Sequence, residues 1–206
     1  YDTVYQYGVA RELTKVTYPG SSSEEWSYDN HFRTKRHTNA RSQEHEYGYD
    51  SNGRLQTISY PTTAETSESF SYRADDQLLS FTDSVGTTTY EYYPNRLLKA
   101  VSYDYSSSGL LPLQRVDYEY YSDDLLKKVT WKSGLALVGS WTYSYDAAGR
   151  AVSVTSYGHT DEFTYDGEGR ITGQSNSNGT EVLTSWNAAR GWPVSLTHQQ
   201  FGFPFD

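Results

Sequence analysis

The chain has 206 residues, a formal net charge of -9 at pH 7, 21 Tyr and 5 Trp, and neither Cys nor Met. This acidity argues against a nucleic-acid partner or an anionic membrane surface, both of which select basic faces. The missing cysteines exclude disulfides and thiolate zinc sites, and no stretch approaches the roughly 18 consecutive apolar residues of a membrane span. Tyr and Trp bury large areas while keeping a polar handle, so an aromatic, shallow core is predicted rather than disorder.

In chain order, strands ending in an aromatic recur at Tyr7, Tyr28, Tyr49, Tyr72, Tyr92, Tyr120, Tyr145, Tyr165 and Trp186. Most carry a second aromatic two residues earlier, on the same face of the strand. A short polar turn follows each, then a stretch that usually opens on an aliphatic residue. Spacings of 20 to 28 residues are those of a repeat array, each unit a single supersecondary element that buries its apolar face against its neighbours. The repeat runs from end to end, and residues 1–206 read as one domain.

The first two turns are degenerate, with Arg11 and Phe32 where a glycine would close them. The third, after Tyr47-Gly48-Tyr49, is the cleanest. Asp50 can accept hydrogen bonds from turn amides, Gly53 supplies a positive φ, and Arg54 follows. The chain then returns through Leu55, Ile58 and Tyr60, and the three-residue step from Leu55 to Ile58 predicts a bulge or an extended turn. The next three copies place Asp76, Arg96 and Asp124 at the glycine position, before Leu78, Leu98 and Leu126. The full turn returns as Tyr145, Asp146, Gly149, Arg150 and as Tyr165, Asp166, Gly169, Arg170, and the last copy puts Arg190 in the glycine place. The long loop after Tyr92 carries Leu110, Leu111, Pro112 and Leu113, an apolar segment that reads as a flap or a contact surface.

Arg54, Arg150 and Arg170 are expected near the tyrosines of neighbouring hairpins, where stacking and a carboxylate contact would hold the array together. Asp50 to Gly53 and the pairs Asp75/Asp76 and Asp123/Asp124 lack the spacing of a calcium loop and read as turn caps. His37 and His45 with Glu44 and Glu46 come nearest to a metal cluster, but the intervening loop would place them poorly for zinc. No cofactor is implied. With no nucleophile elbow, phosphate loop or dinucleotide fingerprint, the chain does not read as an enzyme. The basic stretch of Arg33, Lys35 and Arg36, with His37 and Arg41, is either a contact for a sulfated or phosphorylated polymer or a charged edge that blocks unwanted pairing. Asn178-Gly179-Thr180 matches a glycosylation acceptor, which has meaning in a eukaryotic secretory context.

The run Tyr-Asp-x-x-Gly-Arg at Tyr49, Tyr145 and Tyr165, with an aromatic two residues before each Tyr, resembles the YD repeat of bacterial Rhs proteins, of the shell-forming components of Tc toxins and of the extracellular part of teneurins. The resemblance extends to all nine copies. It implies an all-β fold of tandem antiparallel hairpins laid edge to edge in a curved or spiralling sheet, shell-like or solenoid-like, which in toxin systems encloses a toxic segment. It further implies a non-enzymatic scaffold or shell segment, secreted or on a bacterial cell surface, partnered by further YD-repeat units or flanking domains of a longer chain. No counterpart of the self-cleaving C-terminal region of the bacterial shells is found, and nine hairpins are fewer than a closed shell uses, so a wall segment is expected. About eighteen strands exceed the roughly ten at which open sheets curl or split, and the end strands offer edges for self-association. Two alternatives stand beside this reading. The fold alternative is a β-propeller with two hairpins per blade of about 40–45 residues. The functional alternative is an extracellular recognition or adhesion module that binds glycan or protein through Arg33, Lys35, Arg36 and the segment Leu110 to Leu113.

Overall fold

The computed structural model describes residues 2–105 and 112–200, which form eighteen β-strands. The chain divides into two compact units, residues 1–90 with 102–113 and residues 91–101 with 114–206. The first holds β1 (Val4–Tyr7), β2 (Leu13–Thr17), β3 (Ser23–Tyr28), β4 (Thr34–Thr38), β5 (Glu44–Tyr49), β6 (Leu55–Ser59), β7 (Glu68–Tyr72) and β8 (Leu78–Thr82). β9 (Thr87–Tyr92) and β10 (Leu98–Asp104) form the fifth hairpin, whose turn from Tyr93 to Leu97 lies in the second unit. That unit also holds β11 (Gln114–Tyr120), β12 (Leu126–Ser133), β13 (Ala136–Tyr145), β14 (Ala151–Ser156), β15 (His159–Tyr165), β16 (Ile171–Asn176), β17 (Thr180–Trp186) and β18 (Pro193–Gln200). Among the described residues no helix is long and apolar enough to cross a membrane.

Each strand pairs antiparallel with the next in sequence, without interruption from β1 to β9 and again from β11 to β18. A propeller breaks its pairing after every four strands. Pairing here continues past four in both units, so the propeller alternative falls and the tandem-hairpin fold stands.

All nine anchor aromatics are the last residue of the strand that enters a turn. The turn itself is one design used eight times, with a longer variant in the ninth copy. In the cleanest copy the Asp50 amide donates to the Arg54 carbonyl at 2.9 Å and the Gly53 amide to the Asp50 carbonyl at 3.0 Å. Closing this way needs a left-handed residue just before the return strand. Gly53, Gly149 and Gly169 supply it with φ of 85°, 77° and 82°, and Arg11, Phe32, Asp76, Arg96 and Asp124 are held there with φ between 61° and 72°. The last copy corrects the sequence register. Its loop is one residue longer, and Gly191 at φ 68°, not Arg190, takes the left-handed place.

A bulge accompanies the turn in eight of the hairpins. Gly48 pairs with Thr57 but Tyr49 with Leu55, so Gln56 is the extra residue and the alternation breaks where the spacing of Leu55 and Ile58 indicated. The same slip occurs at Tyr7, Tyr28, Tyr72, Tyr120, Tyr145, Tyr165 and Trp186.

One face of the hairpins carries the aromatics. The other is lined by hydroxyls that pair across strands, as in Ser71 with Ser80 (2.6 Å), Ser144 with Ser153 (2.7 Å) and Ser185 with Ser195 (2.6 Å). Burial is shallow throughout. Among the described residues only Val16, Ala100 and Val101 are buried apolar residues, and no large side chain is fully enclosed. Half-buried tyrosines, with their hydroxyls free to find polar partners, are the residue type that such a thin layer needs.

Candidate functional site

The most organised side-chain chemistry lies at the repeat turns. In four of them an Asp follows the anchor and an Arg stands four residues later: Asp29 with Arg33, Asp50 with Arg54, Asp146 with Arg150 and Asp166 with Arg170. The carboxylate works as a cap. Asp50 Oδ1 accepts from the amides of Asn52 and Arg54, both at 2.9 Å, and Oδ2 accepts from Arg54 Nε at 2.8 Å. Asp29, Asp146 and Asp166 repeat these contacts within 2.7–3.0 Å. Stabilisation of the ionised form follows. The Arg33 guanidinium, joined by the amides of Arg33 and His31, holds the Asp29 carboxyl down to about 2. Asp50, Asp146 and Asp166 are likewise held below the usual carboxylate range, chiefly by the amides of Arg54, Arg150 and Arg170.

Fixed by its own turn, each arginine reaches the next. The guanidinium of Arg33 lies 4.3 Å over the ring of Tyr49, Arg54 4.7 Å over Tyr72, Arg150 4.7 Å over Tyr165 and Arg170 5.5 Å over Trp186. All are within cation-π range. Arg54 also bonds the Arg73 carbonyl (2.7 Å) and the Asp76 carboxylate (2.8 Å), and Arg150 bonds the Asp166 carbonyl (3.2 Å). The anchors tie back through their polar tips, with or without a guanidinium over the ring. Tyr49 donates its hydroxyl to the Thr34 carbonyl and Tyr72 to that of Leu55, each at 2.8 Å. Tyr145 donates to Leu126 (2.9 Å), Tyr165 to Ala151 (2.6 Å), and Trp186 donates its indole N–H to Ile171 (2.7 Å). Every acceptor is the first residue of the preceding return strand. Arginine and anchor therefore clasp successive hairpins beyond their backbone ladder.

Two turns of the second unit use other chemistry. Tyr93 and Tyr121 replace the capping Asp, and Leu97 and Leu125 replace the arginine. Tyr93 donates to the Tyr118 carbonyl (3.0 Å) and meets the Tyr120 ring edge to face at 6.0 Å; Tyr121 donates to the Tyr143 carbonyl (2.9 Å) and meets Tyr145 in the same way at 6.2 Å. The backbone turn is unchanged.

Of the other residues singled out in the sequence, Arg33 belongs to the clasp. Lys35 and Arg36 stand exposed on opposite faces of β4, where Arg36 pairs with Glu46 and, at 3.6 Å, with Glu44. The basic stretch is thus distributed over a turn and two faces. Leu113 is exposed, and Leu110 and Leu111 lie outside the described residues. His37 and His45 face each other across β4 and β5. Trp26 stacks on His37 at 4.9 Å, and Glu24 lies 3.1 Å from its Nε2. Among the described residues no group of three or more His, Cys, Asp or Glu is placed to hold a metal ion. The acidic pairs enter other bonds, Asp76 with Arg54 and Asp124 with Asn95 (2.9 Å). Sequence reasoning missed the Asp29 and Arg33 turn because Phe32 occupies its glycine place. The pattern Asp-x-x-x-Arg one residue after an anchor would have found it.

Residues 145–181 match the RHS Repeat family. The fold is similar to that of crystal structures named TcdB2-TccC3-TEV (14% identity, TM-score 0.76, covering 96% of this chain) and TcdB2-TccC3-Cdc42 (16%, 0.75, 94%). Within residues 145–181 the repeat is of the RHS type. A further match is the Photorhabdus luminescens Tc holotoxin pore carrying a TccC3 variant, at 16% identity and TM-score 0.75 over 94% of this chain. The chain spans only 11–12% of the length of these structures. No curated protein matches the sequence.

Proposed function

We propose that this chain is a non-enzymatic wall segment of a shell or scaffold, part of a larger, secreted, bacterial toxin-associated assembly. The observation that carries the reading is the clasp: each of the four capped turn arginines is fixed in its own hairpin and stacks on the anchor of the next, a device that any further hairpin of the same type can extend. Likeness to a Tc holotoxin component over nearly the whole of this chain, and over about a ninth of that structure's length, supports the same view. The first and last strands are suited to continuation. All four residues of β1 and all eight of β18 are exposed, including Tyr5, Tyr7, Val194 and Leu196. Partners of this kind are further YD-repeat units or flanking domains of a longer chain, and end-to-end association of separate copies uses the same edges.

The test is to fuse two copies in tandem through β18 and β1. A wall segment behaves as a quasi-one-dimensional array whose stability grows with the number of coupled units, so the fusion melts as one body at a higher temperature than the single copy, and electron microscopy shows a particle elongated in proportion. Two copies that melt independently at the single-copy temperature would contradict the proposal.

A further inference from the structure

The two charge-free joints of the second unit leave open ground beside them. Where Leu97 precedes the return strand, a cleft of about 470 Å³ has Tyr93, Pro94, Leu97, Tyr120 and Tyr121 among its walls. Where Leu125 does the same, a second cleft of about 310 Å³ is walled by Tyr121, Leu125 and Tyr145. Tyr121 belongs to both. Tyr93 meets Tyr120 at 6.0 Å and Tyr121 meets Tyr145 at 6.2 Å, so neither pair takes a group between its rings, and each is a wall of the space beside it. Lys127, 5.8 Å from the Tyr121 ring, lines neither cleft. The clefts repeat with the hairpins. The first lies against the end of β11 and the second against the end of β13, two strands further on, or about 9.6 Å at the usual spacing of neighbouring strands. A polyproline II helix turns once every three residues, a rise of about 9.3 Å.

We propose that the two clefts together bind a proline-rich segment of a partner polypeptide in the polyproline II conformation, with prolines three residues apart falling on either side of the Tyr121 ring. Grooves walled by aromatic rings recognise such segments, and the preformed helix loses little entropy on docking. The chemistry left in the clefts suits proline better than a sugar. A sugar needs several convergent hydrogen-bonding groups, whereas the hydroxyls of Tyr93, Tyr121 and Tyr145 are spent on the carbonyls of Tyr118, Tyr143 and Leu126, and the Asn95 amide on Asp124. Proline asks for ring and aliphatic surface, which Tyr93, Leu97, Tyr120, Tyr121, Leu125 and Tyr145 supply. The site lies wholly in the second unit and does not depend on the shell reading.

Deca-L-proline titrated into protein with isotopically labelled tyrosine rings, followed by NMR, tests the site. Tri-L-proline, a Gly-Ser decapeptide and cellohexaose serve as comparators. Saturable shifts confined to Tyr93, Tyr120, Tyr121 and Tyr145 are expected for deca-proline. Tri-proline, which reaches one cleft at a time, is expected to bind about tenfold more weakly because the linked second contact is lost. Leu125→Arg, which fills the second cleft alone, brings deca-proline down to the tri-proline level. If that variant does not fold, the comparison of the two proline peptides on the unaltered protein still decides the question. Equal binding of deca-proline and tri-proline, an equal response to the Gly-Ser peptide, a response to cellohexaose without one to deca-proline, no shift at these rings, or undiminished binding to folded Leu125→Arg would overturn the proposal.

Discussion

Within the second unit, the turns at Asp146 and Asp166 and those at Tyr93 and Tyr121 solve one problem in two ways. The backbone is the same in all four, with the same pair of turn hydrogen bonds and a left-handed residue before the return strand. The first pair couples to the next hairpin through an arginine, held in its own turn by the capping Asp, that stacks on the next anchor, while the tie from the anchor's polar tip to the preceding return strand occurs in both kinds, as at Tyr165 and Tyr145. The second couples through a tyrosine that meets the next anchor edge to face and donates to a carbonyl two residues before it. Turn geometry and inter-hairpin coupling are therefore separable. The backbone fixes where the side chains stand, and the side chains decide whether the joint depends on charge.

The largest break in this comparison comes from removing an anchor. Tyr165→Ala deletes the platform under Arg150 and the bond to Ala151, and is expected to cost about 2–3 kcal/mol in urea unfolding, below the value for a fully buried aromatic because Tyr165 is half-buried. Acid separates the two kinds of turn next. Asp29 falls from an ordinary 3.8 to about 2 on folding, and Asp50, Asp146 and Asp166 shift the same way. A folded-state pKa below the unfolded one gives stability that is complete above about pH 4 and is lost as pH falls towards 2. Denaturant melts between those limits should show that loss, and it should shrink in D146N/D166N. Trimming only a hydroxyl sharpens the contrast. Tyr165→Phe is expected to cost about 1 kcal/mol, whereas Tyr120→Phe, with no hydroxyl bond among the described residues, is expected to change stability by a few tenths at most. Opposite in sign is Phe32→Gly, which relieves a left-handed residue carrying a side chain and is expected to stabilise by about 0.5–1 kcal/mol, read as a raised urea midpoint at unchanged slope.

Much of this frame is legible in the residues themselves. Aromatic strand ends, the capping Asp, the left-handed glycine and the bulge after Leu55 are local features, and local features leave local signals. The placement of Arg54 and Arg150 over neighbouring tyrosines follows from the period together with the affinity of guanidinium for rings, and Arg170 finds Trp186 in the tyrosine's place. Other parts were hidden for physical reasons. A hairpin period is common to a propeller and to a continuous array, and only the pairing between hairpins separates them. Phe32 masked a full clasp because the turn's hydrogen bonds can force a side-chain-bearing residue into the left-handed region. Tyr93 and Tyr121 look like ordinary strand aromatics until the next anchor is placed beside them, and the hydroxyl bonds end on carbonyls, which carry no residue signature. The one-residue extension that brings in Gly191 is visible only once the loop is closed.

The central claim is that arginine and anchor energetically join adjacent hairpins, and a double-mutant cycle on Arg150→Leu and Tyr165→Leu measures it most directly. A coupling of about 0.5–1 kcal/mol is expected, and it should exceed that of the reference cycle of Leu125→Ala and Tyr145→Leu, the equivalent places in the charge-free joint. A coupling indistinguishable from zero at Arg150 and Tyr165 would mean that the backbone ladder alone holds the hairpins together, and would contradict the account.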